Sequence, residues 1–237
     1  MGQPTAGRRP GTIASNIGVA LGCVLFLGGF VWGALLYRPY TVPTNSMSPT
    51  VAAGDRVLAE RISADEIRRG DVVVFKDVLW GNAPEVKRVV GIGGDEVACC
   101  DDKGRLTVNG KPVEEPYLRD KGLGAFQPFS TTVEQGRLFL LGDHRSTSVD
   151  SRNRLTDQAQ GSISADSVQA RVDATAWPLG EARMLPRATG FAGLPGGVST
   201  PGPVKPLVAA VIVGAVLILG GAAYGPVAAR LRRRRAD

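Results

Sequence analysis

Two long apolar stretches dominate the pattern of hydrophobic and polar positions. Ile17 to Tyr37 runs 21 residues without a charge, and Leu207 to Ala229 runs 23. As helices, both are long enough to cross a hydrocarbon core. Trp32, Tyr37 and Tyr40 supply interfacial aromatics at the far end of the first. Between them the pattern shortens to β-rich runs and turns. Asp55–Ala59 and Asp71–Phe75 are bounded by glycine, Val86–Val90 ends at Gly91, Gly93 and Gly94, and Leu138–Leu141 ends at Gly142-Asp143. Asn109-Gly110, between Leu106-Thr107-Val108 and Lys111-Pro112-Val113, predicts a hairpin. Glu66–Arg69 predicts a helical turn before Gly70, and Gly190–Pro206, dense in Gly and Pro, predicts a linker. The expected fold is a mainly β domain of antiparallel sheets with two transmembrane α-helices. Its expected divisions are a tail (1–16), a helix (17–37), the β domain (38–182, with a smaller β part at about 98–137), a linker (183–206), a helix (207–229) and a basic tail (230–237).

Charge sharpens the topology. The formal net charge is +6, and Arg8, Arg9, Arg230, Arg232 to Arg235 and Asp237 in the two tails account for all of it. Basic tails flanking apolar spans place both ends in the cytoplasm and residues 38–206 outside, which argues against a nucleic-acid partner. A cleaved leader competes for the first span. Its apolar core is too long, however, and Tyr37-Arg38-Pro39-Tyr40 offers no small-x-small cleavage pattern. Cys23 lies inside a span, and the adjacent Cys99-Cys100 are expected to be too close for an ordinary disulfide.

The outer domain fields few candidates for chemistry. Pro43 and Pro49 stiffen a stretch around Ser46 that is expected to be non-helical, although a Ser-Met-x-Pro run is as a rule a surface turn. The only histidine is His144, so a Ser-His-Asp site has one possible base, and its neighbour Asp143 is no evidence of a triad. Metal binding lacks enough ligands of suitable spacing, and no cofactor is implied. A lysine can act as base if it is kept dry, since an amine of reference pKa near 10.4 must come down to near neutrality, a differential of roughly 4 kcal/mol. That demands apolar neighbours rather than carboxylates. Lys87 lies in a β-branched run, whereas Lys76 has Asp77 beside it.

Four boxes occur in order: Thr44-Asn45-Ser46-Met47-Ser48-Pro49-Thr50; Gly70-Asp71-Val72-Val73-Val74-Phe75; Lys87-Arg88-Val89-Val90-Gly91 with Gly93 and Asp95; and Gly142-Asp143-His144-Arg145 through Ser148-Val149-Asp150-Ser151-Arg152. Together they resemble the boxes of bacterial type I signal peptidases over roughly residues 37–180. The resemblance implies a Ser-Lys dyad that removes signal peptides from secretory preproteins at the outer face of a bacterial cytoplasmic membrane, near the secretion translocon. Ser46 would be the nucleophile and Lys87 the general base. Thr44 and the Ser46 N–H would form the oxyanion hole, and Ser148 would hydrogen-bond the amine. Asp150 and Arg152 would pair to support the loop, Asp143 and Arg145 would shape it, and Met47 would line the pocket for the small residue before the cut.

This sequence departs from the family pattern at His144 (usually Asn), at Ser146-Thr147, and at Thr44, where Ser is commonest. Substrate logic agrees with the topology. A presequence ends its apolar stretch shortly before an Ala-x-Ala-like site, so the scissile bond lies at the outer face of the phospholipid bilayer. Ser46 is tethered within roughly 30 Å of that face. Trp177-Pro178-Leu179 ends the β region with an aromatic suited either to the core or to lipid headgroups. Rival readings are an inactive, membrane-tethered adaptor on the same scaffold, a wall-anchored protein suggested by Leu185–Gly190, and a self-cleaving repressor-like fold, which the two spans disfavour.

Overall fold

The computed structural model describes residues 10–233. Residues 1–9 and 234–237, which carry Arg8, Arg9, Arg234, Arg235 and Asp237 of the expected tails, lie outside the described residues. The chain divides into a helical unit and a β unit, Tyr37–Gly202.

The helical unit pairs α1 (Pro10–Leu36) with α2 (Val204–Arg233). Both extend beyond the spans expected at 17–37 and 207–229, and Ile13–Leu36 and Val204–Tyr224 are long and apolar enough to cross a membrane. Tyr37, expected to end the first span, instead begins a strand. The helices run antiparallel and approach closely where side chains are absent. A Cβ on Gly22 would stand 2.8 Å from the Gly214 carbonyl oxygen, and one on Gly214 would stand 2.5 Å from Phe26 N. Small residues let apolar helices pack backbone to backbone in this way.

The β unit contains β1 (Tyr37–Thr41), β2 (Arg56–Glu60), β3 (Val72–Phe75), β4 (Glu85–Ile92), β5 (Glu96–Cys99), β6 (Leu106–Val108), β7 (Lys111–Pro112), β8 (Phe129–Thr132), β9 (Arg137–Leu141), β10 (Ile163–Ser164), β11 (Val168–Trp177) and β12 (Arg183–Met184). The larger sheet runs β1-β2-β11-β3-β4-β9-β10, with β12 beside β11, and the smaller runs β7-β6-β5-β8. Every pairing is antiparallel. β3 is buried along its whole length. Val72 and Val74 join one apolar cluster with Val42, Met47 and Val86, while Val73 and Phe75 join another with Val89 and Leu140. A strand apolar on both faces belongs in the middle of a sheet, and β3 lies there, between β11 and β4. The Asn109-Gly110 turn forms as expected, with φ of 53° and 71°.

Several expectations need correcting. The helical turn lies at Ala64–Glu66 rather than 66–69, because Ser63 caps it and Glu66 bonds back to the Ser63 N–H. The predicted linker is largely structural: Ala188, Phe191 and Leu194 pack into the core beneath the smaller sheet, and Gly202 N–H donates to Asp173 Oδ2 at 2.9 Å. Cys99 and Cys100 are joined in a disulfide across a cis peptide, their Cα atoms 3.0 Å apart and so, as expected, closer than in an ordinary one. Trp177 is 52% exposed and Leu179 is exposed too, so neither serves as core.

Asp95 pins the turn that ends β4. It accepts from Arg69 Nε at 2.6 Å, Ile92 N at 2.8 Å and Asn109 Nδ2 at 2.9 Å. Burial pushes its carboxyl up, but these donors outweigh it and hold the carboxyl below its ordinary value. Its folded pKa therefore lies below the unfolded one, and the stability it contributes above the unfolded value is lost as pH falls through the folded value. Asp95→Asn is expected to destabilise the β unit by about 2 kcal/mol at pH 7. Urea unfolding should show the gap to wild type closing as pH drops below the ordinary carboxylate range.

Candidate active site

Ser46 is carried by the connection from β1 to β2. Between Pro43 and Pro49 the chain tightens into a single 3₁₀ turn, Asn45–Met47, closed by Ser48 N donating to Asn45 O at 3.1 Å. This replaces the non-helical stretch expected there. With three residues per turn, successive side chains diverge by about 120°. Ser46 and Met47 therefore point apart. Ser46 lines a cavity of about 640 Å³, whereas Met47 is fully buried among Val42, Val51 and Val86. Met47 does not line that cavity, which corrects its expected role. The apolar walls come instead from Pro43, Ala83, Pro84, Val86 and Val149.

Strand β4, held between β3 and β9, carries Lys87 to the serine. Lys87 Nζ donates to Ser46 Oγ at 3.1 Å, and the lysine is only 3% exposed. The Thr44 hydroxyl also donates to Ser46 Oγ, at 3.1 Å, and the Ser46 N–H reaches Thr44 Oγ1 at 3.5 Å. Ser46, Lys87 and Thr44, chosen from the sequence, thus meet at one oxygen. The lysine's setting is not wholly apolar as expected, however. Glu85 Oε2 stands 3.1 Å from Nζ, and sequence reasoning passed over it. The available signal was its place two residues before Lys87, which puts both side chains on one side of the strand.

The loop after β9 backs the serine. His144 N donates to the Ser46 carbonyl at 3.0 Å. Gly142 has no room for a side chain, because a Cβ there would strike Ser148 Oγ and crowd the Ser46 carbonyl. Asp150 accepts from Gly142 N at 3.0 Å and pairs with Arg152 at 2.8 Å, and Arg152 also donates to the Arg145 carbonyl at 2.9 Å. Ser148 Oγ is buried without a hydrogen-bond partner, so the expected bond to the lysine is not made in this structure. Glu85 is the amine's second partner instead. Asp143 and Arg145 do not pair with each other. Asp143 takes a two-pronged bond from Arg88, Nε to Oδ1 at 2.8 Å and Nη2 to Oδ2 at 2.6 Å, and also accepts from the Thr50 hydroxyl. Burial would push the Arg88 guanidinium down, but Asp143 outweighs it and holds it above its ordinary value. Arg145 pairs with Glu115 at 2.6 Å and donates to the Gly142 carbonyl at 3.0 Å.

The histidine alternative fares poorly. His144 lines the cavity, but its Nδ1 is buried without a partner, and the Asp143 carboxylate is committed to Arg88 and Thr50. Asp143 is therefore not free to orient it. Among the described residues, no cluster of three or more His, Cys, Asp or Glu side chains is arranged to hold a metal.

A β domain that joins a serine hydroxyl to a buried lysine amine, in a chain with two helices apolar enough to span a bilayer, defines a membrane-anchored protein with the groups of a hydroxyl-nucleophile hydrolase. The family model described as signal peptidase, peptidase S26, matches residues 13–177. A probable signal peptidase I of Mycobacterium leprae is 32% identical over 207 residues, covering 63% of this chain and 71% of that protein. Signal peptidase IB of Staphylococcus aureus is 35% identical over 176 residues, covering 67% of this chain and 87% of that protein. A crystal structure of a signal peptidase I from Enterococcus faecalis is 27% identical with a TM-score of 0.37, covering 44% of this chain and 95% of that one. The chain belongs to the signal peptidase family, peptidase S26, and is a serine endopeptidase.

Proposed function

We propose that this chain removes N-terminal signal peptides from exported preproteins, with Ser46 as nucleophile and Lys87 as general base. The observation that carries the reading is the 3.1 Å approach of Lys87 Nζ to Ser46 Oγ in a chain of this family. Ser46 Oγ attacks the carbonyl of the scissile bond while its proton passes to Lys87 Nζ. The oxyanion is held by the Ser46 N–H and by the Thr44 hydroxyl once that hydroxyl turns from Ser46 Oγ. The ammonium returns the proton to the leaving amine, and a water activated by the same lysine then hydrolyses the acyl-enzyme. Ser148, buried and unpaired beside the Ser46 carbonyl, supplies a hydroxyl to the amine when substrate draws Lys87 away from Glu85.

The same reading extends to topology. Both termini are cytoplasmic and the β unit faces outward, where a presequence emerges from the translocon with its cleavage site at the lipid surface. Exposed Trp177 and Leu179 suit contact with headgroups. An inactive adaptor would have no need to keep both dyad side chains, and here they are in contact.

The test is cleavage of a presequence peptide with an Ala-x-Ala site by the full chain in phospholipid micelles, the product identified by mass spectrometry. A single cut after the second alanine is expected, and His144→Ala should lower the rate by no more than about tenfold. No cut, or cuts scattered away from the small residues, would refute the assignment.

A further inference from the structure

Glu85 and Lys87 leave β4 on the same side, and the carboxylate stands 3.1 Å from the amine. Among the described residues lining the 640 Å³ cavity, Glu85 is the only acid, and the other ionisable side chains there are Lys87 and His144. The acids of the loop behind are already engaged, Asp143 by Arg88 and Asp150 by Arg152. The two partners differ in access: the Lys87 side chain is 4% exposed and that of Glu85 27%. A molecule in the cavity can therefore reach the carboxylate while the amine stays covered.

The ion pair has a chemical consequence. An amine that carries its third proton as Glu85's partner cannot take one from Ser46. To act as base, Lys87 must first release that proton to water, and once a bound peptide covers the cavity this leaves the Glu85 carboxylate shut off from solvent with no cation beside it. Leaving such a charge unpaired is costly. A cation on the bound peptide removes the cost. We propose that Glu85 is a specificity residue that selects presequences carrying a Lys or Arg side chain close to the cut. The substrate cation takes the ammonium's place on the carboxylate and frees Lys87 to serve as base. This rests on the reading of the chain as a presequence-cleaving Ser-Lys peptidase.

The experiment uses the full chain and matched presequence peptides that differ at one residue. Lys, Gln or Glu is placed in turn at the middle residue of Ala-x-Ala and at each of the two residues after the cut. At one of these positions kcat/KM should fall in the order Lys, Gln, Glu, with Lys ahead of Glu by on the order of tenfold or more. Glu85→Gln should collapse that spread, and Glu85→Arg should invert it. Equal rates for the three peptides at every position on the wild-type enzyme overturn the proposal, even if neither variant folds. An unchanged spread in Glu85→Gln overturns it as well. Failure of the underlying reading looks different: either no peptide in the series is cut, or Ser46→Ala cuts them all undiminished.

Discussion

Ser46→Ala and Lys87→Ala are each expected to lower kcat/KM for a presequence peptide by about 10⁴-fold or more, and the double variant should be little worse than either alone. In the mechanism proposed above, one bond-making event needs both groups. A serine hydroxyl near neutrality is a poor nucleophile, and it becomes effective only as its proton leaves. Lys87 Nζ, 3.1 Å from Ser46 Oγ, is the one base in hydrogen-bond contact with it among the described residues. Removing either member leaves the oxyanion donors and substrate binding, and with them only residual catalysis. Lys87→Ala also strips Glu85 of its partner, but that carboxylate is partly exposed and stays solvated, so the variant should fold. Single-turnover cleavage followed by mass spectrometry, with near-ultraviolet circular dichroism to confirm folding, makes the measurement. A dead His144→Ala beside an active Lys87→Ala would transfer the role of base to the histidine.

What the sequence made legible follows from how local each signal was. β3, β4 and the 106–113 hairpin were readable because runs of valine between glycines, and Asn109-Gly110 in a two-residue turn, act within a few positions. β11 was not readable, although it lies between β2 and β3 in the larger sheet. Its Arg171 and Asp173 look like surface charges until Glu60 is seen across the sheet on Arg171, and the Tyr37 hydroxyl and Gly202 N–H on Asp173. Those partners lie dozens of residues away, where no pattern window reaches. The 190–206 stretch failed for a related reason: its glycines and prolines announce a flexible chain, while one phenylalanine, Phe191, decides that it packs.

At the site, the approach of Ser46 to Lys87 spans 41 positions, and only the ordered boxes hinted at it. The boxes carried less about orientation. They could not say that a 3₁₀ turn sends Met47 into the core, that Asp143 pairs with Arg88, or that Glu85 reaches the amine before Ser148 does. Residue type and order survive in such boxes; the direction of a side chain depends on the backbone beneath it.

Asp143→Ala is expected to destabilise the β unit by about 3–5 kcal/mol. The carboxylate is 0% exposed and Arg88 1%, and Arg88 holds it with two donors while its guanidinium also lies 3.8 Å over the Tyr117 ring. With the acid gone, a guanidinium is left buried against an aromatic face and the Gly70 carbonyl, with no carboxylate bonded to it. A loss of that size should lower the unfolding temperature by roughly 10 °C in a unit of this length. Thermal unfolding of the full chain in micelles, read from the tryptophan fluorescence of the β unit, would measure it. Arg88→Met with Asp143→Leu should regain most of the loss, because replacing both partners removes the charge along with its mate. Activity should not follow stability back. Asp143 immediately precedes His144, whose N–H holds the Ser46 carbonyl at 3.0 Å, and it also anchors the Thr50 hydroxyl just beyond the serine turn. A leucine can fill the space of that carboxylate but cannot hold Thr50, so the stabilised double variant should remain slow. A double variant that recovered stability and rate together would mean that the buried pair serves the fold alone, and that the serine turn is positioned without it.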